Sequence, residues 1–320
     1  MATRPDLWDD LLEKSVVGSF TSLGYTVRSR QWDAIPAGSL DGRTVLITGA
    51  TSGIGRMVAS EAAGLGASLF IVARDVDKAR SLRDELIATT GNEDIHYYIA
   101  DLSLMSDVAQ VSNEILAAQS DIHVLINNAV ILPQQRRLTA EGLELSHATN
   151  LVAPFLLTNR LLDRLVESAP ARIINVISGG MYTQGLALDD INNEKGDYSG
   201  SIAYARAKRG LMILTKMWAD RLAGTGVTVN ATHPGWVDTP GVRDSLPMFY
   251  RLTRRALRTP EQGADTILWL AAGDAGGSET GKLWHDRIAR PEYRFNKGIE
   301  TSADRNQLWQ KLSDTVAALT

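Results

Sequence analysis

The sequence predicts a single α/β domain: a doubly wound parallel sheet of about seven strands with helices on both faces. Three observations predict it. Short apolar, β-branched runs recur at 44–48, 68–73, 95–100, 124–126, 172–177, 227–232 and 281–285, with helix-period segments between them, and that alternation builds a parallel sheet. The first run opens directly into Gly49-Ala50-Thr51-Ser52-Gly53-Ile54-Gly55 and then a helical pattern through Met57, Val58, Ala62 and Leu65. Residues able to do chemistry stand where the runs end, at Asp101, Asn128, Ser178 and 233–235, and in such sheets ligands bind beyond the carboxyl ends of the strands.

Composition bounds the function. Hydrophobic residues make up 44% of the 320 and charged residues 22%, the balance of a soluble globular protein. A net charge of −4, from 33 Lys plus Arg against 37 Asp plus Glu, argues against nucleic acid as a partner. There is no Cys, which excludes disulfides, thiolate catalysis and Cys-ligated zinc. The five His residues, at 96, 123, 147, 233 and 285, form no paired motif, so no metal site is expected. No apolar run reaches the roughly 18 residues of a membrane span, and residues 1–10 lack the apolar core of a signal peptide. A cytoplasmic protein is expected.

The chain divides into an arm at 1–40, the main domain at 41–290 with substrate loops at 181–201 and 236–258, and an extension at 291–320 carrying a helix at 303–318. The spacing of Leu11, Leu12, Val16, Val17, Phe20, Leu23, Tyr25 and Trp32 fits one or two short amphipathic helices. Two readings of them stand: an arm packed on the domain or on a second subunit of a homo-oligomer, or a helix in peripheral contact with a membrane.

Glycine permits tight turning and close approach of backbone to a pyrophosphate, while the helix that follows supplies N–H donors and positive potential. Gly49, Ser52, Gly53, Ile54 and Gly55 are therefore candidates for binding a dinucleotide. The second run ends Ala73-Arg74-Asp75. An acidic residue there meets a ribose 2′-hydroxyl and a cation meets a 2′-phosphate, so Arg74 favours NADP over NAD. Asp75 also reads as a cap for a helix at 76–90.

Tyr204 and Lys208 stand one turn apart on a predicted helix face. A phenol has a free pKa near 10, and a neighbouring ammonium lowers it; such a pair exchanges a proton with an alcohol or carbonyl oxygen. Ser178 is placed to donate to the same oxygen. Asn150 falls within a helix expected at 140–167, where an Asn also bonds its own backbone. Tyr182, Tyr198, Trp236 and Tyr250 are candidate walls of an apolar substrate pocket. Arg251, Arg254, Arg255 and Arg258 read as a solvated face or a site for an acidic group. Thr259-Pro260-Glu261 is a helix start.

Together, Thr48-Gly49-x-x-x-Gly53-x-Gly55, Asp101-Leu102, Asn127-Asn128-Ala129, Asn150, Ser178, Tyr204-x-x-x-Lys208 and Pro234-Gly235 make the chain resemble the short-chain dehydrogenases/reductases from about residue 41 to 284. The 26 residues from Ser178 to Tyr204 are similar to the retinol-dehydrogenase side of that family. Segments around Ser178, Tyr204, 233–243 and 262–266 are similar to its member 12 group. The resemblance implies a Rossmann-type sheet, a nicotinamide cofactor and a catalytic set of Ser178, Tyr204, Lys208 and Asn150. It implies Tyr204 as general acid/base on a small alcohol or carbonyl compound, and Lys208 lowering the Tyr204 pKa and bonding the nicotinamide ribose. Asn150 would hold a water; Asp101 and Leu102 would meet adenine, Asn128 the adenosine ribose and Thr239 the carboxamide. The fold also carries epimerases, dehydratases and nucleotide-binding regulators, and these stand as alternatives. Two departures are Val130, where Gly is common, and Gly179, where a second Ser is common.

Overall fold

The computed structural model describes residues 7–294 and 299–320. Eight strands form one sheet: β1 (Thr44–Thr48), β2 (Ser68–Ala73), β3 (Ile95–Ile99), β4 (Val124–Asn127), β5 (Ala171–Val176), β6 (Val227–Thr232), β7 (Leu283–His285) and β8 (Ile288–Arg290), in the order β3-β2-β1-β4-β5-β6-β7-β8. All neighbours are parallel except β7 and β8. The order reverses between β1 and β4, and that switch point opens a crevice at the carboxyl ends of the strands.

Side chains alternate across the sheet. Leu46 of β1 joins the core on one face, and Val45 and Ile47 the core on the other. Three helices of the arm come first: α1 (Leu7–Lys14), α2 (Val16–Phe20) and α3 (Ser22–Ser29). Then follow α4 (Gly53–Gly64), α5 (Val76–Thr90), α6 (Met105–Ala118), the single turn α7 (Leu145–His147), α8 (Ala153–Glu167), α9 (Gly200–Arg221), α10 (Pro240–Ser245), α11 (Pro247–Thr253), α12 (Pro260–Ala272), α13 (Asp274–Ser278) and α14 (Ser302–Leu319). Helices α4, α5 and α12 cover one face, while α6, α8, α9 and α14 cover the other. The capping box of Thr259 and Gln262 starts α12.

Three differences from the sequence reading have physical causes. The helix expected at 140–167 is interrupted by a π turn at Ala148–Val152, where the Ala153 N–H bonds to Ala148 O. Pro154 has no N–H to give the Asn150 carbonyl and its ring crowds that oxygen, so the widened turn absorbs the conflict. The eighth strand returns from β7 through Asp286 and Arg287, both with left-handed φ, at 52° and 57°, the backbone of a tight hairpin. The arm has three helices where one or two were expected, and it packs on the domain.

A buried ionic cluster fixes both the hairpin and the arm. Asp286 accepts from Arg28 Nη1 at 2.7 Å and from Arg258 Nη1 and Nη2 at 2.5 and 2.8 Å. Arg28 also reaches Asp9 Oδ1 at 2.7 Å, and Arg287 holds Asp265 through two bonds. Burial alone raises the Asp286 pKa, but the two guanidiniums bring it below the ordinary carboxylate value. Removing one partner from such a buried set costs about 3–5 kcal/mol, because it strands a charge away from water.

Candidate active site

A cleft of about 560 Å³ opens at the switch point, within the range of small-molecule sites. Its floor is the turn between β1 and α4. Gly49 sits at φ 69°, and a Cβ there would stand 2.7 Å from Ala129 Cα; only glycine takes that backbone at that approach. A Cβ on Gly55 would run into the Asn128 amide and the Gly49 carbonyl. Ser52, the N-cap of α4, gives no side-chain cap, so the first-turn N–H donors lack a side-chain acceptor and suit an anion.

The loop after β4 is bolted to this turn. Thr48 Oγ1 accepts from the N–H groups of Asn128 and Ala129, each at 3.0 Å. Asn128 Nδ2 donates to the carbonyls of Thr48 at 2.9 Å and Gly49 at 3.1 Å. Val130 keeps negative φ and lines the cleft, so the departure from Gly brings no left-handed strain.

At the end of β2, Arg74 is exposed and lines the cleft. Asp75 turns away as the N-cap of α5, accepting from Asp77 N at 3.0 Å and Lys78 N at 3.1 Å. Its carboxyl is held below the usual range chiefly by the Lys78 N–H bond. Asp101, with Oδ1 accepting from Ser103 N at 2.9 Å, and Leu102 line the same wall. Thr239, which caps α10 through Val242 N at 3.3 Å, lines the opposite side.

Tyr204 and Lys208 project from α9 into the inner end of the cleft. Burial raises the Tyr204 pKa, and a hydrogen bond with Ser178 pulls against it. Ser178 Oγ accepts from Gly180 N at 3.1 Å and N-caps the turn Gly179–Thr183. Lys208 is 2% exposed and donates to the Val176 carbonyl at 2.8 Å; burial lowers its pKa to about 7. Asn150 lies in the π turn, fully buried. Its Oδ1 accepts from Ile131 N at 3.0 Å, and its Nδ2 donates to Ile131 O and Ser146 Oγ, both at 2.8 Å. It thus braces the loop beyond Asn128 instead of bonding the backbone of its own helix.

Gly49, Ser52, Gly53, Ile54, Gly55, Arg74, Asp101, Leu102, Asn128, Tyr204, Lys208 and Thr239 all line this one cleft. Ser178 stands at its edge beside Tyr204, and Asn150 behind it. The four candidate wall aromatics stand outside the lining. The Tyr182 hydroxyl donates to Pro291 O and the Tyr198 hydroxyl to Glu144. Trp236 packs on Phe20 and Phe249, and Arg243 covers Tyr250. One lining residue the sequence did not single out is Thr149, whose buried Oγ1 has no hydrogen-bond partner.

A glycine turn at a sheet switch point, leading to a half-buried Tyr and Ser beside a buried Lys, defines a dinucleotide-dependent oxidoreductase. Residues 43–248 match the family model described as short chain dehydrogenase. The chain is 38% identical over 278 residues to dehydrogenase/reductase SDR family member 12 of Bos taurus, covering 86% of each. It is 37% identical over 266 residues to retinol dehydrogenase 12 of Homo sapiens, covering 82% of this chain and 84% of that one. Among solved structures, the RhlG/NADP active-site complex of Pseudomonas aeruginosa superposes with a TM-score of 0.64 at 27% identity, over 78% of this chain and 96% of that one. The chain belongs to the short-chain dehydrogenase/reductase family, on its retinol-dehydrogenase-like side, and is an NAD(P)-dependent oxidoreductase. Among the described residues no helix is long and apolar enough to cross a membrane.

Proposed function

We propose that the protein transfers a hydride between NADP(H) and an apolar alcohol or carbonyl compound, with Tyr204 as general acid/base. The observation that carries this reading is that Tyr204 and Lys208 line the same cleft as the glycine turn, with Ser178 beside Tyr204. The cleft suits a dinucleotide in its uncapped helix N-terminus and its close backbone approach at Gly55. The cofactor supplies the hydride chemistry when bound.

This chain's residues handle the proton and the position. Burial keeps Tyr204 protonated at neutral pH, so in carbonyl reduction its hydroxyl donates to the substrate oxygen and gives up its proton as the oxygen gains charge. Ser178 Oγ accepts from Gly180 and has its own proton to offer the same oxygen. Lys208 titrates near neutrality; an anionic dinucleotide favours its ammonium form, and that charge in turn lowers the Tyr204 pKa.

Arg74 supports NADP, because it is the charged side chain at the end of β2 that lines the cleft while Asp75 is committed to its helix. The names of the retinol dehydrogenases support a long apolar alcohol or aldehyde as substrate. The test is a panel of all-trans-retinal, medium-chain aldehydes and polar sugar ketones with NADPH and NADH, reading alcohol product. Apolar aldehydes with NADPH should give the highest kcat/KM. A preference for the polar ketones, or NADPH binding without turnover of any of them, would remove the reading.

A further inference from the structure

We propose that Phe20, at the end of α2 in the N-terminal arm, is a positioning residue of the substrate site; this rests on the reading that Ser178 and Tyr204 face the substrate oxygen. Phe20 closes α2 and is 3% exposed. A Cβ at position 179 would stand 2.6 Å from Phe20 Cε2, so the ring fills the space that any side chain after Ser178 needs. That contact accounts for Gly179 standing where a second Ser is common. Gly179 opens the turn whose N-cap is Ser178, and the ring therefore packs on the backbone that aims the Ser178 hydroxyl.

The same few arm residues tie down both ends of the loop at 236–258. Trp236 N donates to Phe20 O at 2.8 Å, and Ser22 N donates to Ala256 O at 2.9 Å. Arg258 Nη2 donates to Ser19 O at 2.8 Å and its Nε to Phe20 O at 3.1 Å. Phe20 also meets His233 edge-on, with ring centroids 4.4 Å apart. Between its anchored ends this loop carries Thr239, Pro240 and Asp244 into the cleft. Residues 19–22 thus join the Ser178 turn to the loop facing it, while the glycine turn and Arg74 lie outside these contacts. The Arg28–Asp286–Arg258 cluster locks the arm in place.

Four variants test this in the full-length protein: Phe20→Ala, Phe20→Leu, Gly179→Ser and the double Phe20→Ala/Gly179→Ser. Displacing a reacting geometry by an ångström costs about 100-fold, so Phe20→Ala should lower kcat/KM for the accepted aldehyde by about that factor. Its NADPH Kd should stay within about twofold of the parent, since uniform nucleotide binding is untouched. Phe20→Leu should restore most of the activity. Gly179→Ser should lose activity alone, yet the double variant should be no worse than Phe20→Ala, because the side chain enters space the ring has left. Additive losses, or an unchanged kcat/KM in Phe20→Ala, overturn the proposal, as does an NADPH Kd that rises as far as kcat/KM falls. Hydrogen exchange gives a readout independent of turnover: Phe20→Ala should expose amides at 178–184 and leave those at 44–58 protected, and unchanged exchange at 178–184 also overturns it. Full turnover by Tyr204→Phe would instead remove the underlying reading and leave the exchange result to decide the arm.

Discussion

Lys208 Nζ lies 5.9 Å from the centre of the Tyr204 ring and spends a hydrogen bond on the Val176 carbonyl at 2.8 Å. The two are one turn apart on α9, yet in the free protein the Tyr204 proton is set by burial and opposed by Ser178. Lys208 is itself partly neutral near pH 7. On the proposed reading, a negative charge in the cleft restores the Lys208 ammonium and so readies the Tyr–Lys pair for proton transfer.

Replacement of Tyr204 by Phe keeps the ring and removes the proton. We expect kcat to fall by about 10²- to 10⁴-fold, the usual contribution of a positioned acid/base, with NADPH Kd nearly unchanged. Ser178→Ala should cost less, since the phenol remains. Initial rates and a fluorescence titration of NADPH measure both, and a Tyr204→Phe enzyme at parental kcat sinks the assignment.

Arg74 has an exposed side chain at the cleft and Asp75 is committed to capping α5. Hydrogen bonds to charged groups contribute about 1.5–3 kcal/mol, so Arg74→Ala should weaken NADPH by roughly 10- to 100-fold and leave NADH nearly unaffected. Titrating both nucleotides against both proteins decides it; tighter NADH binding by the parent contradicts the NADP reading.

Much of this architecture was legible because its signals are local. Strand–glycine turn–helix, the β2 terminus at Arg74 and the Tyr204–Lys208 spacing each lie within one short segment, and the strand order then gathers them. What escaped reading depends on distant residues. The left-handed Asp286-Arg287 turn carries no Asn-Gly signature; it is held by Arg28, 258 residues away in sequence. Tyr182, Tyr198, Trp236 and Tyr250 are aromatic residues on the loops at 181–201 and 236–258, but no sequence pattern told which way they face, and polar partners turn the Tyr182 and Tyr198 hydroxyls elsewhere. Gly179 was visible as a departure, while its reason, the Phe20 ring, was not. The π turn did have a signal, Pro154 inside a helical pattern.

Thr149 shows what that π turn does for the site. It sits beside Asn150 and lines the cleft, and its hydroxyl is buried without a hydrogen-bond partner. A net hydrogen bond is worth about 1 kcal/mol, so Thr149→Val should raise the NADPH Kd about fivefold. The apo protein should lose no thermal stability, because the hydroxyl it removes is unsatisfied. An unchanged Kd, or a lower apo Tm, would show that this oxygen serves the fold and not the ligand.

Three buried imidazoles give stability a pH dependence of definite sign. Burial lowers the His147 pKa to about 4. His233 and His285, stacked with centroids 4.0 Å apart, are held well below the ordinary value, first by burial and then by each other's or Arg258's charge. An unfolded chain takes a proton on each near pH 6.5, and the folded protein refuses it until far lower pH. Between those values the unfolded state binds more protons, so unfolding free energy falls on acidification, by about 1.4 kcal/mol per pH unit for each imidazole. Above about pH 6.5 that contribution is flat. Lys208 acts in a separate window: with its folded pKa near 7 against 10.5 unfolded, it adds stability as pH rises from 7 towards 10.5. Urea unfolding should therefore show its midpoint concentration dropping steeply from about pH 6.5 to 5, with His147→Gln reducing the slope by roughly a third. A midpoint that stays level to about pH 5 would mean these rings take up protons in the folded state, and that they are not sealed from water.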